Sequence, residues 1–330
     1  RFAYDQENPL PYDLVIIDEA SMLSLSLMHR LIDALHPTAE LFLVGDPEQL
    51  ASVDAGTVLA DISLAAKKEG TNLHRCTERL TSQYRYAVGS PIEQVVKAVQ
   101  SGDADQVINL LKSHRNSNGV VSWIDPSSKA QEDLEAFENV GLEVQRHALE
   151  VVELAGSSQY EKALETLGQL QLLCASRVGQ LGIAGWNRTV NKWIGTATRK
   201  QWFVGRPVLI TKNDHGNNLY NGDVGVVCSD KNGEVRVVFD GLVASREFPT
   251  VRLPEVETVH ALTIHKSQGS EYQHAIVVLP TGRSRLLTRE LLYTGVSRAR
   301  EQLTIVATEA ALRTAVTTVI SRASGLADRL

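Results

Sequence analysis

The stretch Asp13-Leu14-Val15-Ile16-Ile17-Asp18-Glu19-Ala20-Ser21 decides how the chain reads: an apolar, mostly β-branched run that ends abruptly on two adjacent carboxylates. Unbroken apolarity without polar alternation predicts a strand covered on both faces, of the kind found inside a parallel α/β sheet. Ligands of such sheets bind at the carboxyl ends of the strands, which puts Asp18 and Glu19 where a ligand would lie. Two neighbouring acids repel unless a cation or a proton-accepting task justifies them. One can hold Mg²⁺ through water while the other polarises a nucleophile, the two tasks that phosphoryl transfer to water requires. Taken alone, the pair fits equally well an acidic helix start, where carboxylates complement the helix dipole.

The 330 residues suffice for two or three domains with a sizeable core. A composition 43% hydrophobic and 22% charged is that of a folded soluble protein. The net charge of −6 argues against a polycationic nucleic-acid coat but leaves room for a local basic groove. Cys76, Cys174 and Cys228 stand far apart without CxxC spacing, which fits a reducing compartment and offers no metal site. With no run near the roughly 20 apolar residues of a membrane span, and no signal peptide before the first strand, the expectation is a cytoplasmic protein without a membrane partner. The chain begins at Arg1 rather than Met, close before the acidic strand, and so reads as a piece of something longer.

A second apolar run, Leu41-Phe42-Leu43-Val44, ends in Gly45-Asp46-Pro47-Glu48-Gln49-Leu50. If the two strands are neighbours their loops lie side by side, and the Gln49 amide can sense a terminal phosphate and hold the attacking water. Gly, Asp and Pro equally make an ordinary turn. Arg85, between Tyr84 and Tyr86, is either a surface cation packed on rings or a cation aimed into a phosphate cleft. Residues 91–167 read as a helical connecting region, with a long amphipathic helix over Glu132 to Leu154. A new strand over Leu170 to Ala175 leads to a helix bearing Arg188. Trp186, Trp193 and Trp202 lie near Arg188, Lys192, Arg199 and Lys200, a mixture suited to stacking on bases and pairing with phosphates, or to a core edge with a solvated basic face.

Between 206 and 255, short apolar strands alternate with turn formers such as Asn221-Gly222 and Asn232-Gly233, which predicts a small β-barrel inserted into the α/β frame. The frame resumes with a strand ending at Thr263 and the loop Ile264-His265-Lys266-Ser267-Gln268-Gly269-Ser270-Glu271-Tyr272. Its hydroxyls and Lys266 suit contacts to a nucleic-acid backbone, and Gly269 and Glu271 could approach a nucleotide. His265 by itself is an ordinary core or surface histidine. Arg289 to Arg300 reads as a helix, so Arg298 either complements its dipole or serves as an arginine finger.

In this order the segments resemble the later motifs of superfamily 1 helicases. Asp18-Glu19-Ala20-Ser21 is similar to the Walker B motif, and Gly45 to Leu50 to the third motif with its sensor glutamine. Gln83-Tyr84-Arg85 resembles the fourth motif, Thr263 to Glu271 the fifth and Tyr293 to Arg300 the sixth. The pairing of TIHKSQGSEY with YTGVSRAR, behind a barrel insert, is most similar to the RecD-like branch.

The resemblance implies an α/β fold of RecA-like P-loop NTPase domains with an SH3-like barrel insert. Residues 1–90 would be part of a first motor domain and 91–167 a helical connection. The second motor domain would comprise 168–205 and 256–330, interrupted by the insert at 206–255. It also implies ATP and Mg²⁺ between the domains, single-stranded DNA across them, 5′ to 3′ movement, and RecB-like and RecC-like partner subunits in double-strand break repair. By motif matching Asp18 would act on Mg²⁺ and Glu19 as catalytic base. Gln49 would sense the γ-phosphate, Arg85 and Arg298 would be transition-state cations, and Gly269 and Glu271 would lie near the nucleotide. Thr263, His265, Lys266 and Arg188 would be DNA contacts.

One departure stands out: no GxxxxGK[ST] occurs in the sequence, although that loop cradles the β- and γ-phosphates. In the family it precedes the acidic strand. The expectation is therefore a C-terminal portion that alone neither binds ATP tightly nor unwinds DNA. The rival readings are a non-hydrolysing DNA-binding scaffold and an RNA-directed superfamily 1 helicase. With no separate acidic metal cluster, nuclease activity is not expected of this chain.

Overall fold

A computed structural model of the chain describes residues 2–51, 58–80, 85–114, 119–195, 201–241, 244–253, 255–320 and 325–330. Near the start, β1 (Leu14–Ile17) and β2 (Glu40–Leu43) pair in parallel, Leu14 opposite Glu40 and Ile17 opposite Leu43. A 3₁₀ turn (Ala20–Met22) and α1 (Leu25–Ala34) connect them. The Ser24 hydroxyl accepts from the Leu27 amide and so fixes where α1 begins. Ala20, Leu23, Met28 and Val58, the last on α2 (Val58–Ala65), form the core of this small sheet unit.

Here the first expectation is corrected. β1 and β2 are covered on one face only: Leu14, Phe42 and Val44 are exposed and Ile16 is 61% accessible. The apolar run specifies a strand that needs two covered faces, and the described residues supply a layer for one.

The large sheet unit is wholly parallel, in the order β10-β4-β11-β12-β3. Its strands are β3 (Val121–Ile124), β4 (Leu170–Cys174), β10 (Ala261–Thr263), β11 (Tyr272–Val278) and β12 (Ala299–Val306). Every residue of β4, Gln171 included, is buried, as an interior strand of a sheet covered on both faces requires. One face packs on α4 (Pro91–Ser101), α5 (Ala104–His114), α9 (Arg289–Val296) and α10 (Glu309–Thr317). The other packs on α6 (Gln131–Gly156) and α8 (Ile183–Trp193).

Residues 91–167, read from sequence as a helical connection, thus also hold an edge strand of this sheet and two helices of one of its layers. β3 is only four residues long, too short to display a period against its helical surroundings. The helix expected over Arg289 to Arg300 ends at Val296, with Ser297 as its C-cap, and Arg300 already lies in β12. The polar start of β12 imitates a helix end because this part of the strand is exposed on one side.

The insert is a five-stranded antiparallel sheet in the order β8-β7-β6-β5-β9. It comprises β5 (Pro207–Ile210), β6 (Val224–Ser229), β7 (Val235–Phe239), β8 (Arg246–Pro249) and β9 (Val256–Thr258). Gly233 turns β6 into β7 at a φ of 81°, a conformation that favours glycine. Among the described residues no ladder joins β8 to β9, so the sheet has two edges. It also runs past residue 255, since β9 pairs with β5 and belongs to the insert. Among the described residues no helix is long and apolar enough to cross a membrane.

Candidate active site

Asp18 and Glu19 follow β1 directly, at the carboxyl end of the parallel pair. Asp18 is exposed and its Oδ1 accepts the Glu19 amide at 2.8 Å. Glu19 adopts left-handed backbone angles (φ 50°, ψ 39°), a cost that non-glycine residues carry mainly at tight turns and functional sites. The loop after β2 presses against this turn, with the Ala20 amide donating to the Val44 carbonyl at 2.9 Å. A Cβ on Gly45 would lie 2.9 Å from the Ala20 nitrogen and 3.1 Å from that of Ser21, so only glycine permits the approach. The two loops therefore lie side by side, and the buried Ser21 hydroxyl has no hydrogen-bond partner among the described residues.

Across from these loops stands the turn between α9 and β12. Arg298 is 1% exposed; its Nε donates to the Thr294 carbonyl (3.1 Å) and Nη1 to the Ser270 carbonyl (3.1 Å). Nη2 donates to Gln49 Oε1 at 2.9 Å and to Ser297 Oγ at 3.3 Å. The sensor candidate of one unit is thus hydrogen-bonded to the finger candidate of the other. Arg85 donates to Glu271 Oε1 at 2.6 Å, with Arg300 3.9 Å from the other carboxylate oxygen. Gly269 closes the group, since a Cβ built on it would be 3.9 Å from Glu19 Oε1.

Burial holds the Arg298 guanidinium below its usual pKa, and the nearby positive charge of Arg85 adds to the effect, while Glu19 and Glu271 oppose it. Two guanidiniums that repel each other, balanced by two carboxylates, form a setting suited to a polyanion. Among the described residues no group of three or more His, Cys, Asp or Glu is placed to cage a metal. Mg²⁺ needs no such cage, because it keeps its waters and takes one or two carboxylates plus phosphate oxygens. The exposed Asp18 carboxylate fits that mode.

Glu19, Gln49, Arg85, Gly269, Glu271 and Arg298 are therefore gathered in one place, with Asp18 at its edge. Sequence reasoning passed over four further participants. Tyr293 donates its hydroxyl to Asp46 Oδ2 at 2.7 Å, and Asp46 Oδ2 also accepts from Gln49 Nε2 at 3.1 Å. The Leu50 amide donates to Thr294 Oγ1 (2.8 Å), and Gln268 Nε2 donates to the Leu50 carbonyl (2.6 Å). All four lie within the motif segments, but a linear pattern does not reveal that Asp46 and Tyr293 meet.

The DNA-contact candidates are placed differently. Thr263 is buried and its hydroxyl accepts from the Lys266 amide, capping the 3₁₀ turn Ile264–Ser267. Lys266 Nζ is 2.8 Å from Glu257 of β9, and His265 is half-buried. Arg188 is exposed on α8, and no contact among the described residues joins it to the Glu19–Arg298 cluster. Its neighbour Asn187 ties α8 to the Thr258 carbonyl and the Ala261 amide. Gln83, Tyr84, Arg199 and Lys200 lie outside the described residues.

Two family models match parts of the chain. Residues 4–124 match the AAA domain family and residues 258–306 the UvrD-like helicase C-terminal domain family. The chain is 41% identical over 334 residues to the RecBCD enzyme subunit RecD of Mycolicibacterium smegmatis, covering 100% of this chain and 56% of that protein. Along its whole length the sequence is RecD-like. The ATP-dependent RecD2 DNA helicase of Deinococcus radiodurans is 32% identical to the RecD-like chain over 311 residues, 91% of this chain and 37% of that protein. The RecD-like chain spans about half the length or less of these curated relatives. Among solved structures, Pif1 helicase from Bacteroides in complex with ADP-AlF3 and ssDNA aligns with 97% of this chain and 75% of that chain, at 17% identity and a TM-score of 0.49.

Proposed function

We propose that this RecD-like chain supplies part of the motor of an ATP-dependent 5′ to 3′ DNA helicase that works with RecB-like and RecC-like subunits in the repair of double-strand breaks. The observation that carries the reading is the hydrogen bond between Gln49 and Arg298, with Glu19, Arg85 and Glu271 around it. Glu19 accepts the proton of the attacking water, and Gln49 orients that water. Arg85 and Arg298 neutralise charge developing on the transferred phosphoryl group, once Arg85 exchanges Glu271 for phosphate. Gly269 and Glu271 border the nucleotide. Asp18 would hold Mg²⁺, which would supply positive charge against that of the phosphates.

Because Arg298 of the second unit bonds Gln49 of the first, and Arg85 of the first bonds Glu271 of the second, hydrolysis and relative movement of the units are linked. We read the units as two RecA-like domains, the first within 1–90 and the second within 168–205 and 256–330, and the insert as an SH3-like barrel. The antiparallel five-strand pattern supports the latter. His265, Lys266 and Arg188 face single-stranded DNA in this reading, Thr263 shapes their turn by capping it, and the setting is the cytoplasm, in keeping with three free cysteines.

The P-loop is missing from these 330 residues, so the chain by itself is expected to show no tight ATP binding and no unwinding. Glu19→Gln, placed in a longer protein that also carries a P-loop, should lower the ATPase kcat by about 10²- to 10⁴-fold while leaving DNA binding intact. Unchanged translocation in that variant would favour a non-hydrolysing scaffold. Equal stimulation of the wild-type ATPase by RNA and DNA oligonucleotides would favour an RNA-directed enzyme.

A further inference from the structure

We propose that Asp46 and Tyr293 form a latch between the two sheet units that fixes which end of the Gln49 amide faces the phosphoryl site, making both of them positioning residues. The inference rests on the ATPase reading above. A glutamine amide presents a donor at one end and an acceptor at the other, and its neighbours decide which points where. The Asp46 carboxylate has only acceptors to offer. Its Oδ1 is used by the Glu48 amide at 3.0 Å, and its Oδ2 receives both the Tyr293 hydroxyl and Gln49 Nε2.

Gln49 must therefore turn Nε2 toward Asp46, which leaves Oε1 toward Arg298. Burial and the negative charge of Asp46 keep the proton on Tyr293, so the phenol stays a donor. The latch is braced on both sides: Thr294 Oγ1 and Gln268 Nε2 hold the amide and carbonyl of Leu50, next to Gln49. Residues 293, 294 and 298 of one unit thus grip residues 46, 49 and 50 of the other.

The chemical consequence concerns the attacking water. With Nε2 pinned on Asp46, Oε1 can pass from Arg298 to a water hydrogen without the amide turning over. A flipped amide would offer that water a donor, and its oxygen would no longer be held in the line of attack. Tyr293 acts only through Asp46 and Gln49, so its removal should matter only while Gln49 is present.

The test is a double-mutant cycle in a longer P-loop-containing form of the protein. Tyr293→Phe should lower kcat for DNA-stimulated hydrolysis by about tenfold with KM for ATP within about twofold, and should lower it by less than about twofold in a Gln49→Ala background. A purely structural role would lower kcat equally in both backgrounds, and that result would overturn the proposal. As an arm that does not depend on hydrolysis, amide hydrogen exchange on the 330-residue chain should show the Leu50 amide exchanging about tenfold faster in Tyr293→Phe, with β6 and β7 unaffected. Unaltered exchange at Leu50 would equally overturn the latch. A wild-type longer protein without ATPase activity would overturn the proposed function instead, and the exchange arm would then decide the latch alone.

Discussion

Leu50 offers a direct test of whether the two sheet units are physically joined as described. It belongs to the loop after β2, yet its side chain is 2% exposed and lies in the core of the large unit with Ile92, Val95, Tyr293 and Val296. Leu50→Ala leaves its backbone bonds to Thr294 and Gln268 possible and removes only the buried side chain. Such a truncation costs about 2.7–5 kcal/mol where the surroundings cannot collapse into the space. At roughly 2–4 °C per kcal/mol for a unit of 150–250 residues, the midpoint should fall by about 5–20 °C. The assay is selective, because all four tryptophans (123, 186, 193 and 202) lie outside residues 1–90, and Trp123 and Trp186 are buried in the large unit. Tryptophan fluorescence, to which Trp202 against the insert's core also contributes, thus carries no signal from the small unit. A tryptophan-monitored transition that does not move in Leu50→Ala would show that the loop is not seated there, and the contact between Gln49 and Arg298 would lose its anchor.

Gly45→Ala should destabilise the small unit by roughly 1–3 kcal/mol, because its Cβ would meet backbone nitrogens; faster hydrogen exchange at the Ala20 amide, which bonds Val44, would register it. Lys266→Ala should reduce the salt dependence of single-stranded DNA binding by about 0.7 in log–log slope, while Glu257→Gln, which releases that ammonium, should tighten binding. His260 is half-buried beside Asn191, His147 and Arg206, and desolvation lowers its pKa from 6.5 to about 3. The unfolded state takes up the proton first, so the stability His260 contributes is complete above pH 6.5 and is lost as the pH falls from there toward about 3. Urea titrations across that window should show a shallower decline in His260→Gln than in the wild type.

Much of this was legible in one dimension. The run Leu14 to Ile17 ending on Asp18-Glu19 announced a parallel strand with two carboxylates at its carboxyl end. The Gly45 to Leu50 loop could be placed beside it because both segments share that pattern. The apolar stretches within β4 and β11, such as Ala275 to Val278, likewise gave away the large sheet. Short elements were less visible: β3, four residues between long helices, carries too little pattern to stand out. The exposed start of β12 has the polarity of a helix end, which hid the fact that Arg298 sits in a turn. Thr263, read as a DNA contact, spends its hydroxyl on a local cap, a demand set by the following turn. The Asp46–Tyr293 bond was illegible for a different reason. It joins two loops far apart in sequence, and only tertiary packing states which acceptor a buried phenol will find.

The central claim is that Glu19 and Arg298, from different sheet units, act on one triphosphate. It is tested most directly by a structure of a longer, P-loop-containing form of the protein with ADP and aluminium fluoride. The account predicts that the Arg298 guanidinium leaves Gln49 Oε1 for the fluoride ligands, with the Glu19 carboxylate within hydrogen-bond reach of the in-line water. A nucleotide bound elsewhere, with the 2.9 Å bond between Arg298 and Gln49 intact, would contradict it.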